Sequence, residues 1–102
     1  MEEAKQIKKL ILQKLVRSNI WGGKHTPFDF IKNGIPEHYR NTHKGQKVLE
    51  EIVKELINSG WIIITAKRTG KGSEDHISLN PRKVSEIRQF LESESEDNPT
   101  TG

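Results

Sequence analysis

The chain has 102 residues, of which 31% are hydrophobic, a composition that fits one small domain with a modest core. It contains no cysteine, which excludes a disulfide scaffold and a cysteine-based zinc finger and agrees with a reducing compartment. No apolar run approaches the about 18 residues of a membrane span, and the N-terminus lacks the apolar segment of a signal peptide. We therefore expect a cytoplasmic protein with no membrane contact.

Charge is unevenly distributed along the chain. The formal net charge is +3; all 17 Lys and Arg lie at or before Arg88, and four of the 14 Asp and Glu lie in the last eleven residues. Residues 1–91 therefore carry 17 basic against ten acidic side chains, a net +7. A basic folded part points to a polyanionic partner such as nucleic acid. We expect one domain over residues 1–91 and a disordered acidic tail over residues 92–102.

A first helix is predicted over residues 3–18, from an apolar stripe at helical spacing formed by Ile7, Leu10, Ile11 and Leu15. The glycine pair at positions 22 and 23 then favours a turn, and residues 24–25 are a candidate short edge strand. The sequence at this turn, GGKHT, lacks the spacing of a phosphate-binding loop, and no sizeable apolar strand precedes it. We therefore reject a nucleotide site there.

A second helix is predicted over residues 27–33. Thr26 has the residue type of an N-cap, and Pro27 has that of the first helical position. The link over residues 35–41 contains a proline that suits the start of a single helical turn. Within this link, Tyr39 is expected to pack inward with its hydroxyl near the surface.

The clearest helical pattern covers residues 42–60. Thr42 is a suitable N-cap, and Gly60 follows the last helical residue, where a left-handed C-cap favours glycine. Gly45 falls on the inward face, where the absence of a side chain lets a second helix pack close to the first turn. The apolar stripe of this helix consists of Leu49, Ile52, Val53 and Leu56.

The opposite face of this helix is polar and carries His43, Lys44, Lys47, Glu51, Lys54 and Asn58. From Arg40 to Lys47 there are three basic residues and no acid. A helix whose N-terminal half presents Lys, His and Gln outward suits the major groove of DNA, where the first turns of a recognition helix meet base edges and phosphates. The alternative is a core helix with an ordinary solvated back face.

A change of period to two predicts a β-hairpin after this helix. Residues 61–66 and 76–79 are β-branched and apolar enough to form strands, and residues 67–75 form a glycine-bearing loop between them. Asn80 and Pro81 then suit the N-cap and first position of a last helix. The basic residues of the predicted hairpin tip are Lys67, Arg68 and Lys71.

The order of helix, short strand or loop, two helices, hairpin and helix over about residues 3–91 resembles an α+β winged helix-turn-helix domain. The resemblance rests on THKGQKVLEEIVKELINSG as recognition helix, WIIITAKRTGKGSEDHISLN as hairpin and HTPFDFIKNG as second helix. WGGKHTPF and SLNPRKVSEI are also similar to small stand-alone winged-helix proteins of archaea. In this family the third helix enters the major groove, and the hairpin, or wing, touches the DNA backbone or the minor groove.

By position, the resemblance implies contacts from His43, Lys44, Gln46, Lys47, Lys67, Arg68 and Lys71, and Arg40 and Asn41 complete the predicted DNA-binding set. Lys44 and Lys47 are expected to contact phosphate or guanine, and the wing cations are expected to contact phosphate. The candidates for base edges are His43, Gln46 and Asn41. Glu50 and Glu51 would repel phosphate beyond the first two turns. We therefore expect a small transcriptional regulator or chromatin-associated factor whose partner is double-stranded DNA.

Two other functions stay open on the sequence. A winged helix can serve as a protein-interaction module, which would need an exposed apolar patch on the last helix or around Trp61 and Phe90. An RNA binder would need exposed stacking aromatics. A homodimer through the first or last helix is a further option.

Catalytic and metal sites are not expected. Of the four histidines, His38 and His43 are five apart and do not share a helix face, whereas His25 and His76 could meet across the small sheet. No carboxylate at ligand spacing is expected to help that pair. Nothing converges on a nucleophile, a base and an orienting group, so we predict no enzymatic activity, cofactor, metal or small-molecule substrate.

Overall fold

The computed structural model describes residues 2–70 and 72–95, without the side chains of residues 2, 67–69, 72–73 and 94–95. Along the chain these residues form α1 (Glu2–Arg17), β1 (Thr26–Pro27), α2 (Asp29–Lys32), α3 (His38–Asn41), α4 (His43–Asn58), β2 (Ile62–Thr69), β3 (Gly72–Leu79) and α5 (Val84–Ser95), with a 3-10 turn at Pro81–Lys83 before α5. The three strands form one antiparallel sheet in the order β1-β3-β2. The class is α+β, as the sequence predicted.

Helix α1 lies at the centre of the core and packs against α4, α5 and the sheet. Ile7, Leu12 and Leu15 are buried, but Leu10, predicted in the apolar stripe, is 37% exposed. The buried face of the helix extends from Ile7 past Leu15 to Leu12, and Leu10 lies beyond the Ile7 edge of this face. Asn19 ends the helix in the left-handed conformation at φ 58°. Among the described residues, no helix is both long enough and apolar enough to cross a membrane.

The edge strand and the second helix begin later than predicted. Thr26 and Pro27 pair with β3 and do not cap a helix, and the preceding residues 24–25 are not a strand. The backbone N–H of Phe28 donates to the carbonyl of Asp75 at 3.0 Å, which keeps the chain on the sheet until α2 starts at Asp29. Strand pairing has therefore overridden the local capping chemistry.

Helix α4 has the ends that the sequence predicted. The Thr42 hydroxyl accepts a hydrogen bond from the Gly45 N–H at 2.9 Å, and Gly60 follows the helix at φ +77°. Gly45 is buried against α3, and a Cβ on it would lie 2.7 Å from the Cα of Tyr39. The face that packs into the core includes Leu49, Ile52 and Leu56.

The hairpin is longer and its loop shorter than predicted. Strands β2 and β3 pair residue by residue out to Thr69 and Gly72, so the predicted loop over residues 67–75 is wrong. The strands continue because backbone pairing does not require apolar side chains once the register has been set nearer the core. Lys71, between the strands, lies outside the described residues.

The cap predicted for the last helix is present, but Asn80 caps the 3-10 turn at Pro81–Lys83, and α5 itself begins at Val84. The Asn80 side chain accepts from the backbone amide two residues on at 3.0 Å and donates to the Gly60 carbonyl at 2.7 Å, which ties the 3-10 turn to the glycine after α4. Ile87 is fully buried. Helix α5 continues to Ser95, so the first residues of the predicted disordered tail are helical. The rest of that tail, residues 96–102, lies outside the described part of the chain.

Candidate nucleic-acid interface

Six residues of the predicted set come together where α3 ends and α4 begins. The break between the helices is Thr42, which is extended at φ −113° and ψ 150° and so interrupts the helical backbone. Around it lie Arg40, Asn41, His43, Lys44, Gln46 and Lys47. All of them except Arg40 are exposed. The junction therefore presents polar and basic side chains beside the positive end of the α4 dipole, an arrangement that favours an anion.

Gln46 is held across this junction. Its side-chain amide donates to the Arg40 carbonyl at 2.7 Å, from the first turns of α4 back to α3. The Thr42 hydroxyl also donates to a carbonyl of α3, that of His38, at 2.7 Å. A base contact through the Gln46 amide nitrogen would require its present hydrogen bond to be exchanged, whereas His43 and Lys47 are exposed without a comparable bond in the described part of the chain.

Arg40 is less exposed than the other members of the predicted set at this junction. The side chain is half-buried and lines a groove beside α4. Its Nε is buried without a hydrogen-bond partner among the described residues. A buried donor of this kind costs free energy unless an acceptor reaches it. Arg40 therefore belongs more to the groove than to the exposed junction.

The positive charge on α4 follows one stripe of the helix. Residues four or seven apart share a helix face, so His43, Lys47 and Lys54 lie together, and all three are exposed. Lys54 is not in the predicted site, and its spacing of seven residues from Lys47 is the sequence signal that identifies it. The Lys44 face instead continues with the acidic Glu51, seven residues on.

The acids of α4 limit how far a polyanion could follow the helix. Glu50 and Glu51 are exposed in its middle turns. Glu55 is paired: its carboxylate lies 2.5 Å from the Lys8 ammonium, and this hydrogen bond and charge lower the pKa of Glu55. The basic surface is therefore confined to the N-terminal half of α4 and to the stripe through Lys54.

The structure describes fewer of the predicted contact side chains on the hairpin than on α4. Lys67 and Arg68 lie on β2, where their backbones pair with Glu74 and Ser73 of β3. The side chains of Lys67 and Arg68, and the whole of Lys71, lie outside the described residues. The predicted contribution of these three cations to a common face with α4 stays a prediction.

A pair of histidines meets across the sheet, as the sequence suggested. The Nδ1 atoms of His25 and His76 are 2.8 Å apart, so one ring donates a hydrogen bond to the other. Glu74 Oε1 also lies 3.3 Å from His76 Nε2, the nitrogen that does not face His25. Within the described ranges, no group of three or more His, Cys, Asp or Glu is arranged to hold a metal ion.

The aromatic side chains proposed as an interaction patch pack on each other. The rings of Trp61 and Phe90 make an edge-to-face contact with centroids 5.5 Å apart, and both residues are half-buried. The Trp61 indole donates to Glu86 at 3.2 Å, and this bond, followed by that from Lys83, lowers the pKa of Glu86. Much of this aromatic surface is therefore already covered by the chain itself.

A scan against models of known protein families finds no match, and searches of curated proteins and of solved structures find no similar chain either. A functional assignment therefore depends on the chemistry of this chain's own residues. Two surfaces of the described ranges carry chemistry that a ligand could use: the α3–α4 junction with its basic stripe, and the groove that Arg40 lines.

Proposed function

We propose that this chain is a winged-helix protein that binds double-stranded DNA, as a small transcriptional regulator or chromatin-associated factor. The order of a long helix, a short strand, short helices, a long helix and a hairpin, with strands in the order β1-β3-β2, is compatible with that fold. In this scheme α4 is the recognition helix, β2 and β3 form the wing, and α3 is an additional single turn. Fold likeness alone does not assign function, so the proposal depends on the surface of α4.

The observation that carries the proposal is the exposed basic start of α4. No acid occurs from residue 40 to residue 47, and the first five residues of α4 expose His43, Lys44 and Lys47 to solvent. Lys44 and Lys47 would contact phosphate or the acceptor atoms of guanine, and His43 would reach a base edge. The partial positive charge of the helix N-terminus would add to the attraction.

The wing would supply the second contact. Lys67, Arg68 and Lys71 would meet phosphates on the flanking DNA backbone, and Glu74 and Asp75 would restrict contact on the returning strand. Much of the affinity would then come from released counterions, and binding would weaken steeply with salt.

The test is a titration of isotopically labelled protein with a mixed-sequence DNA duplex at two salt concentrations, followed by amide shifts. We expect the shifts to cluster in residues 40–47 and 67–71 and to fade at the higher salt concentration. The matched variants are Lys44→Ala with Lys47→Ala, and, as a control with the same loss of charge on other helices, Lys5→Ala with Arg88→Ala.

The expected difference between these variants is in both affinity and salt dependence. Each lost phosphate contact lowers the slope of log affinity against log salt by about 0.9, so the α4 variant should lose roughly two units of slope. The control variant should keep the wild-type slope nearly unchanged. Equal affinity and slope in the α4 variant and the wild type would remove α4 from the interface, and scattered or absent shifts would make the basic face an ordinary solvated surface.

A further inference from the structure

We propose that the groove beside α4 binds a small amphipathic carboxylate, a molecule with an apolar body and one anionic end. The groove has a volume of about 550 Å³ and opens between α4, the short helices α2 and α3, and the hairpin. Small-molecule sites in proteins commonly enclose about 300–1,000 Å³. This site is separate from the proposed DNA contacts of Lys44 and Lys47, which do not line it.

The floor of the groove is apolar and incompletely covered. It is formed by Phe28, which precedes α2, by Leu49, Val53 and Ile57 of α4, and by Ile64 of β2. Ile57 is 41% exposed, although it lies on a long helix beside the core. Phe28, Val53 and Ile64 are half-buried. An aliphatic or aromatic body lying here would remove this surface from water, which is favourable in proportion to the apolar area covered.

The rim of the groove carries more positive than negative charge. Its cations are Lys32, Arg40 and Lys54, and its acids are Glu50 and Asp75. Lys32 is 3.6 Å from Asp29, a long contact that leaves it only loosely paired. The rim therefore favours one anionic group at the end of the ligand and disfavours a cationic one.

Arg40 supplies a cation suited to a carboxylate at one end of the groove. Its Nε is a buried donor without a partner among the described residues, on a side chain that lines the groove. The planar guanidinium matches the two oxygens of a carboxylate, and such charge-assisted hydrogen bonds are among the stronger ones in proteins. A ligand carboxylate would pair with the accessible part of the Arg40 guanidinium while its apolar body covers Val53, Ile57 and Ile64.

The test uses decanoate and 1-naphthylacetate as probes, each below its aggregation limit and without DNA, with amide shifts as the readout. We expect at least one of them to give saturable shifts at residues 28–32, 46–57 and 64. Decylammonium, which has the same alkyl chain as an aliphatic probe but the opposite charge, should bind at least about tenfold more weakly than the acid. If neither acid gives saturable shifts at these residues, or if decylammonium binds as well as decanoate, the proposal is overturned.

Two matched variants separate the groove from unspecific apolar binding. Ile57→Ser removes an exposed apolar side chain inside the groove, and Ile63→Ser removes one that is 39% exposed but does not line it. Because both side chains are exposed, both variants should fold, as amide dispersion will show. Ile57→Ser and Arg40→Gln should each weaken binding of the acid about tenfold, and Ile63→Ser should not. Equal loss in the two serine variants would overturn the proposal, and none of these outcomes depends on whether the chain binds DNA.

Discussion

Replacing Gly45 with Ala tests how closely α3 packs on α4. A Cβ at this position would lie 2.7 Å from the Cα of Tyr39 and 2.8 Å from the Oγ1 of Thr42. Carbon atoms in favourable contact are about 3.5–4.0 Å apart, so both distances are severe overlaps. Neither neighbour moves cheaply, because one is backbone and the other is the cap hydroxyl that accepts from the Gly45 N–H.

Two terms of opposite sign decide the size of the effect. Alanine is favoured over glycine inside a helix by about 0.8–1.0 kcal/mol. Overpacking of this kind typically costs about 1–3 kcal/mol, and displacing the Thr42 cap would cost a further 0.5–2 kcal/mol or so. The overlap therefore outweighs the helix propensity, and Gly45→Ala should lower the free energy of unfolding by about 2 kcal/mol.

Urea unfolding followed by far-UV circular dichroism measures this change, with an unchanged m-value as the sign that the variant still unfolds in two states. The control is Gly23→Ala, since a Cβ on Gly23 would meet no atom of the described chain within 4 Å. That variant should stay within about 0.5 kcal/mol of the wild type. If Gly45→Ala is instead more stable than the wild type by about 1 kcal/mol, as expected at an unobstructed helix position, then α3 does not pack closely on α4 at Gly45.

Three further predictions concern stability and titration. Leu56→Ala should lower the free energy of unfolding in urea by about 2–5 kcal/mol, because Leu56 is 1% exposed, and a near-neutral result would put the wrong face of α4 in the core. Tyr39 is the single tyrosine, and burial, then the hydrogen bond and charge of Glu3, raise its pKa to about 12 from 10.0. The ultraviolet absorbance of the native protein should therefore titrate near pH 12, and this midpoint should move to lower pH in Glu3→Gln. The stability that the neutral phenol contributes should be complete below pH 10 and lost as pH rises to 12. A midpoint at pH 10 in the native protein would contradict this prediction. Lys8→Gln should raise the pKa of Glu55 towards its ordinary value in a carboxyl-shift titration, because the variant removes the hydrogen bond and the charge that lower this pKa. The stability that the lowered pKa contributes is present above the unfolded pKa and is lost as pH falls. An unmoved pKa would mean that the two side chains are not paired in solution.

Helix α4 could be predicted because its signals are local. Its cap, its apolar stripe and its terminal glycine all lie within residues 42–60, and the structure uses each of them as expected. Thr26 and Pro27 show the opposite case. Their local chemistry favours a helix start, but the backbone partners that hold them in a strand come from β3, fifty residues further along the chain. The same long-range pairing extends the hairpin through the region predicted as loop.

The candidate surfaces divide in the same way. The α3–α4 junction was predictable because its residues are consecutive and the helix period shows which of them face outward. The groove was not, because its lining comes from α2, α3, α4 and both strands of the hairpin. Arg40 is the clearest example: next to Asn41 and His43 in sequence it looks like one more exposed cation, and only the packing of α3 makes its Nε a buried donor.

The two proposals share Arg40 and Gln46, which belong both to the predicted DNA-binding set and to the groove lining. They differ in every other residue that an experiment needs. Lys44 and Lys47 lie outside the groove, and Ile57 is an apolar side chain that a phosphate contact would not use. Changing Lys44 and Lys47 should therefore weaken DNA binding and leave carboxylate binding unaffected. Ile57→Ser should weaken carboxylate binding and leave DNA binding unaffected. Loss of both activities in either variant would mean that the junction and the groove act as one surface.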